Sequence, residues 1–202
     1  MDSTSTIVSS IQGACRDLGL GEPSDDAARH IIGLGLNEAI AQLLPELPES
    51  EFPRLIERYR YYYLGKDHEI PLFTGAESVV RDLHAAGFLL GVATGKSRRG
   101  LDRVLDHTGL RSYFHATRCA DECFSKPHPE MLEQLMDELG MARSRTLMIG
   151  DTSHDLLMAK NAGVASLAVS YGAHARAELL THAPLECVGN IEEMETWLLA
   201  NA

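Results

Sequence analysis

Short apolar runs alternate with segments of helical periodicity from Ile70 onward, and this alternation restricts the fold more than any other feature of the chain. The runs that predict buried strands cover residues 88–93, 115–117, 146–150, 165–169 and 186–188. Helical periodicity covers residues 78–86, 99–108, 130–139 and 155–162, and a tail helix holds Ile191 and Leu198. Such alternation implies right-handed crossovers between parallel strands. The sequence therefore predicts an α/β fold built on a doubly wound parallel sheet.

The first part of the chain has helical patterns only. Ile7, Val8, Ile11 and Cys15 fall on one face of a first helix, and further helices are predicted to begin near residues 24, 36 and 50. The change of pattern near Ile70 divides the chain into a helical region, residues 1–70, and an α/β region, residues 71–202.

Composition removes several classes of function. A formal net charge of −11 leaves no basic face that could follow a nucleic-acid backbone, so nucleic acid is not an expected partner. The longest apolar run, residues 88–93, is far too short to span a bilayer, and the first residues lack the basic start and apolar stretch of a signal peptide. We therefore expect a cytoplasmic protein with reduced cysteines that makes no membrane contact.

Polar residues with phosphate and metal chemistry follow the predicted strands. Thr94 and Gly95 end the first strand, Lys126 lies in a loop stiffened by two prolines, and Asp151 and Asp155 follow the third strand. Ligands of open α/β sheets bind beyond the carboxyl ends of the strands, so these side chains are expected to meet. Carboxylates suit Mg²⁺, and a fixed ammonium suits a phosphoryl group in transfer. Each element alone is often a turn, a surface cation or a helix cap, whereas together they predict a magnesium-dependent phosphoryl-transfer site.

In this order the motifs resemble those of the haloacid dehalogenase superfamily, in its phosphoglycolate phosphatase-like branch. The strand ending in Thr94 resembles the second motif of that family, Lys126-Pro127 the third, and Gly150-Asp151 with Asp155 the fourth. The helices before residue 71 are similar to the small helical cap of the family, so the resemblance covers essentially the whole chain. It implies a Rossmann-like core with an N-terminal helical cap.

The resemblance also implies roles for these residues. Thr94 would hold the phosphoryl oxygens together with Gly95, and Lys126 would neutralise nucleophile and phosphate. Asp151 would bind Mg²⁺ directly, while Asp155 would either ligate it or orient Lys126. The implied activity is hydrolysis of a small-molecule phosphate monoester through an aspartyl-phosphate. The implied partner is a small phosphorylated metabolite, and association into a homodimer is left open.

One motif of the family has no counterpart here. Its first motif is an apolar strand ending in Asp-x-Asp-Gly-Thr, which carries the nucleophile and the general acid/base, and only its last part matches Met1-Asp2-Ser3. Two hypotheses follow: a phosphatase whose chain is truncated before the nucleophile, which we favour, or an inactive member that binds a ligand or a protein. The missing strand is expected between residues 88–93 and 146–150, where its absence would leave either a gap or direct pairing of those two strands.

Neighbouring polar residues allow further expectations. Ser153 is placed to cap the helix that follows Asp151. His154 is predicted to face solvent, with a place in the site as the alternative. Arg98 and Arg99 could contact a second anionic group of the substrate or carry ordinary surface charge.

Overall fold

The computed structural model describes residues 1–201, without the side chain of His68; Ala202, the end of the predicted α/β region, lies outside the described residues. None of the helices in this described part combines the length and apolar character needed to cross a membrane.

The first part of the chain folds as a helical layer. Its helices are α1 (Thr4–Asp17), α2 (Asp25–His30), α3 (Leu36–Leu43) and α4 (Phe52–Leu64). The apolar face predicted for α1 buries Val8 and Ile11 against Leu55 of α4, which is fully buried. Ser24 caps α2, since its side-chain oxygen accepts a hydrogen bond from the Ala27 amide. Helical periodicity was therefore a sound guide to this layer.

The strands are all parallel, and within residues 1–201 they form two sheets. The strands are β1 (Gly91–Thr94), β2 (Ala116–Cys119), β3 (Leu147–Gly150), β4 (Ala165–Val169) and β5 (Cys187–Val188). β1 pairs with β2 in one sheet, and the other has the order β3-β4-β5. No pairing joins β1 to β3 among the described residues, so the two sheets are separated at the position where the family resemblance places a further strand.

Helices cover both faces of these sheets. The helices of this part are α5 (Ala76–Ala85), α6 (Arg98–Thr108), α7 (Glu130–Leu139), α8 (Ser153–Ala162), α9 (Arg176–Leu180) and α10 (Ile191–Asn201). Met131 of α7 and Met158 of α8 are fully buried on one face, where Ala93 of β1 and Met148 of β3 join the same cluster. The other face buries Val79 of α5 against the β4 side of the core. The helical layers therefore continue across the opening in the sheet.

This is the predicted α/β architecture with a Rossmann-like arrangement, and it departs from the sequence prediction in detail. The first strand begins at Gly91 rather than at residue 88 and includes Thr94, because the ladder with β2 starts where Gly91 lies opposite Ala116. Phe88 and Leu89 precede it and are 37% and 43% exposed, so their apolar character does not mark a buried strand here. Helix α9 was not predicted, since five residues give too little periodicity to detect.

Candidate functional site

A cavity of about 800 Å³ lies between the helical layer and the carboxyl ends of β1 and β3. Its lining includes Thr94 and Gly95 from the β1 side and Lys126 from the segment after β2. Asp151 and Asp155, from the β3 side, line the same cavity. The fold thus brings together every residue that the sequence singled out for the site.

Lys126 and Asp155 form a buried ion pair in this cavity. Lys126 Nζ lies 2.6 Å from Asp155 Oδ1, and the side chains are 6% and 4% exposed. The other carboxylate oxygen accepts hydrogen bonds from the Thr152 amide at 3.1 Å and from the Thr152 hydroxyl at 2.8 Å. Burial acts to raise the pKa of Asp155, but Lys126 and these bonds outweigh it, so its pKa is lowered. Asp155 is therefore held as a carboxylate that orients Lys126.

The capping of α8 depends on Thr152 rather than Ser153, so that prediction was wrong. Thr152 is the N-cap, and its hydroxyl accepts a hydrogen bond from the Asp155 amide at 3.2 Å. In return, the Asp155 carboxylate accepts a hydrogen bond from the Thr152 amide. This is a capping box, in which side chains at both positions satisfy free amides of the first turn. Ser153 is the first helical residue, one position too late for this role.

Asp151 directly follows β3 and lies in a different environment. Its Oδ2 accepts a hydrogen bond from the Ala173 amide at 2.9 Å, and no other side-chain bond to it is found in residues 1–201. Burial and the nearby Asp155 carboxylate raise the pKa of Asp151. A Cβ atom at Gly172 would collide with the Asp151 carboxylate, and one at Gly150 would collide with Asp155. Glycine at these positions lets the backbone approach both carboxylates closely.

Thr94 and its loop face the helical layer. Thr94 Oγ1 accepts a hydrogen bond from the Lys96 amide at 3.1 Å. A Cβ atom at Gly95 would lie 2.6 Å from the Gly33 carbonyl oxygen, so only glycine permits this approach of the loop to the layer. Lys96 Nζ donates to the Tyr63 hydroxyl at 2.6 Å. The loop after Thr94 is therefore covered by α4 and by the turn after α2.

Two further contacts hold the helical layer on the site. The Gly35 amide donates to Ser125 Oγ at 2.8 Å, next to Lys126. His154 Nε2 donates to the His30 carbonyl at 2.7 Å, and His154 is only 6% exposed. The prediction that His154 faces solvent was therefore wrong, because α8 presents this residue to the helical layer and not to water. Burial lowers the pKa of His154, which favours the neutral ring.

The two arginines after Thr94 separate in the structure. Arg98 makes a forked ion pair with Glu122, at 2.8 and 2.7 Å, and donates to Thr117 Oγ1 at 2.8 Å. Arg98 is therefore held by Glu122 and Thr117 and does not line the cavity. Arg99 does line it.

Comparison with known proteins identifies the family of this chain. Residues 1–169 match the model of the haloacid dehalogenase-like hydrolases. The chain belongs to that family. It is 36% identical over 200 residues to a Dickeya dadantii protein described as probable phosphatase IndB, covering 96% of this chain and 86% of that one. It is 30% identical over 178 residues to a phosphoglycolate phosphatase of Agrobacterium fabrum, covering 85% and 76%.

Solved structures share the fold of this hydrolase. A hydrolase from Pseudomonas syringae superposes with a TM-score of 0.90 at 19% identity, covering 100% of this chain and 94% of that one. At this identity the likeness shows the fold alone. Family membership and fold therefore agree.

The oxygen donors of the cavity fit a magnesium ion in part. Asp151 keeps one carboxylate oxygen free, since only Oδ2 has a bonded partner among the described residues. Both oxygens of Asp155 already have donors, namely Lys126 and Thr152. Mg²⁺ binds through one or two carboxylates and retains several waters, and a cation would offset the unfavourable proximity of two carboxylates. The residues fit an ion held mainly by Asp151.

Some residues of this hydrolase site were missed from the sequence. Thr152 holds Asp155 in place, and the Thr-x-x-Asp spacing of a capping box would have found it. Ser125 and Tyr63 contact the site from segments far apart in sequence. No local pattern reveals such contacts.

Proposed function

We propose that this member of the family is a phosphatase that hydrolyses a small phosphorylated metabolite with Mg²⁺, through an aspartyl-phosphate. The observation that supports it is the buried Lys126–Asp155 pair, 2.6 Å long, in one cavity with Thr94 and Asp151. Burying a charge pair is costly, so the geometry suits a task that needs a fixed cation. The names of the two relatives, a phosphatase and a phosphoglycolate phosphatase, support the same reaction class.

The chain's own residues would divide the work of binding the phosphoryl group. The Thr94 hydroxyl and the amides of its loop face the cavity from the β1 side and can donate to phosphoryl oxygens. Lys126 supplies a fixed positive charge, and Asp155 keeps it in place through the 2.6 Å contact. A bound Mg²⁺, held mainly by Asp151, would neutralise further charge on the phosphoryl oxygens.

The proposed nucleophile is an aspartate on a strand between β1 and β3. Val92 and Ala93 of β1 and Met148 and Ile149 of β3 line the cavity, so the opening between the sheets is continuous with it. A carboxylate there would attack phosphorus opposite Thr94 and Lys126. The ester P–O bond breaks as the second Asp of that strand's motif donates a proton to the leaving oxygen, and water, deprotonated by the same Asp, then hydrolyses the acyl phosphate.

The test adds that strand. An apolar strand ending in Asp-x-Asp-Gly-Thr-Leu is joined before residue 1, and hydrolysis of an aryl phosphate in Mg²⁺ is compared with residues 1–202 alone. The matched control carries the same extension with its first Asp changed to Asn. We expect activity in the extended protein only, with a higher melting temperature in both extended forms.

The other outcomes are equally informative. Equal hydrolysis by all three proteins would place the nucleophile elsewhere and overturn the mechanism. No hydrolysis by a well-folded extended protein would favour the alternative, an inactive family member that binds a ligand or a protein.

A further inference from the structure

Three imidazole rings meet where the helical layer contacts the core. His30 ends α2, His154 lies in the first turn of α8, and His174 follows β4. Their ring centroids are 5.3 to 5.5 Å apart. Glu178 of α9 adds a carboxylate to the cluster. The proposed phosphatase chemistry uses none of these groups as a reactant.

The donor atoms of three of these residues converge. One ring nitrogen of His30, one of His174 and a carboxylate oxygen of Glu178 all lie within 4.8 Å of one another. Glu178 Oε1 is 3.1 Å from His174 Nδ1 and 3.6 Å from His30 Nδ1. Ligand atoms around a tetrahedral zinc with bonds of 2.0–2.1 Å are about 3.3 Å apart. The two distances from Glu178 bracket that value.

One ring nitrogen of His174, Nδ1, faces both a backbone amide and a carboxylate oxygen. The Ser153 amide donates to His174 Nδ1 at 3.0 Å, which marks Nδ1 as the unprotonated nitrogen. Glu178 Oε1 then faces this lone pair at 3.1 Å with no proton between them. The proton lies on Nε2, which is buried and has no hydrogen-bond partner among the described residues.

A divalent cation resolves the contact between Nδ1 and the carboxylate. Both are Lewis bases, so a cation between them turns a repulsive approach into an attractive one. The cation competes with the neutral Ser153 amide for the lone pair of His174 Nδ1. Its two positive charges attract that lone pair more strongly than the partial positive charge of the amide hydrogen does. Two imidazoles and one carboxylate form a donor set typical of zinc, and Mg²⁺ prefers oxygen ligands.

His154 supports this arrangement without being a ligand in it. Its Nε2 donates to the His30 carbonyl at 2.7 Å, which fixes the end of α2 against α8. Its ring meets those of His30 and His174 at 61° and 72°. His154 therefore packs against the cluster on one side and fixes the backbone of His30, the one exposed ligand.

We propose that His30, His174 and Glu178 bind a zinc-class divalent ion that ties the helical layer to the core. His30 comes from the helical layer, while His174 and Glu178 come from the core, so the ion links the two. The fourth position is left for water. This inference is independent of the proposed hydrolysis, since it requires neither Mg²⁺ nor a nucleophile.

The test is Zn²⁺ titration of the tag-free chain by calorimetry in excess Mg²⁺, with Co²⁺ absorption as a second readout. His30 is exposed, so His30→Ala leaves the core packing intact. We expect one Zn²⁺ per chain, a loss of affinity of at least about tenfold in His30→Ala and in Glu178→Gln, and the visible absorption of tetrahedral Co²⁺ in the wild type only. The matched control, His107→Ala on the exposed side of α6, should bind as the wild type does.

A further variant separates this site from the aspartates. Asp151→Asn should keep Zn²⁺ binding unchanged. Hydrogen exchange of the amides of residues 30–35 should slow on addition of Zn²⁺ in the wild type and not in His30→Ala. Unchanged affinity in His30→Ala, equal losses in His107→Ala, or a loss in Asp151→Asn would each overturn the proposal.

Discussion

The two sheet fragments, β1-β2 and β3-β4-β5, differ in how much of their burial and hydrogen bonding comes from residues of the same fragment. In the β3-β4-β5 fragment, Leu167 and Ala168 of β4 are fully buried, and Asp155 accepts hydrogen bonds from the amide and the hydroxyl of Thr152 in the same fragment. In the β1-β2 fragment, β1 is only partly buried along its length, and Thr94 has one local hydrogen bond. The part of the cavity that holds Asp151 and Asp155 is therefore held largely by its own fragment, with Lys126 as the one added partner of Asp155. The phosphate side depends on contacts with the helical layer and on Lys126.

The Lys126–Asp155 pair is the strongest test of this comparison, since it joins the two fragments. We expect Lys126→Met to lose roughly 3–5 kcal/mol of unfolding free energy, because it leaves a buried carboxylate without its counter-charge. Urea denaturation at pH 7 measures the loss. Lys160→Met, an exposed lysine on α8, is the control and should change stability by less than about 0.5 kcal/mol.

The pH dependence of that loss checks its cause. The folded pKa of Asp155 lies below the unfolded value, so its contribution is complete above the unfolded pKa and disappears as pH falls through the folded pKa. The difference between wild type and Lys126→Met should therefore be constant near neutrality and shrink in acid. A difference independent of pH would show that lost packing, and not charge, is the cause.

Magnesium binding tests whether the β3 fragment alone forms a metal site. Asp151 offers one free oxygen and Asp155 is committed to Lys126, so most of the shell would be water. We expect a dissociation constant on the order of 1 mM or weaker in calorimetry of residues 1–202. Asp151→Asn should remove the remaining heat. Tight, stoichiometric binding would show that the fragment is a complete metal site and would contradict the comparison.

Asp151 should behave oppositely to Asp155. Its folded pKa is raised by burial and by Asp155, so its charge opposes folding above that pKa and has no effect below the unfolded pKa. Asp151→Asn should stabilise the protein at pH 7, and the gain should vanish in acid. Thermal melts at both pH values measure it, with the exposed Asp137→Asn as control. Destabilisation at pH 7 would show that the carboxylate is better satisfied than the contacts indicate.

The smallest expected effect concerns the helical layer over the phosphate side. Ser125→Ala removes the acceptor of the Gly35 amide and should cost about 0.5–1.5 kcal/mol. Faster hydrogen exchange at Gly35 should accompany the loss. The exposed Ser144→Ala is the control. Unchanged exchange at Gly35 would mean that the layer is held by other contacts.

Local sequence patterns predicted much of the fold. The limits of β4 and of α7 match the predicted residues 165–169 and 130–139, because apolar runs and caps are properties of neighbouring residues. The strand at residues 88–93 was misplaced, since its start is set by pairing with β2 and not by its own composition. Thr94, Lys126, Asp151 and Asp155 could be chosen from the sequence because each follows a predicted strand or lies in a stiffened loop.

The sequence by itself determined the α/β alternation, the helical first part and five of the residues that line the cavity, namely Thr94, Gly95, Lys126, Asp151 and Asp155. Only the tertiary structure decided that Asp155 is bound to Lys126, that His154 is buried, and that His30, His174 and Glu178 meet. The reason is physical. Helix and strand signals depend on residues a few positions apart, whereas these contacts join segments that only folding brings together, and their pKa values and unsatisfied groups follow from the burial that results.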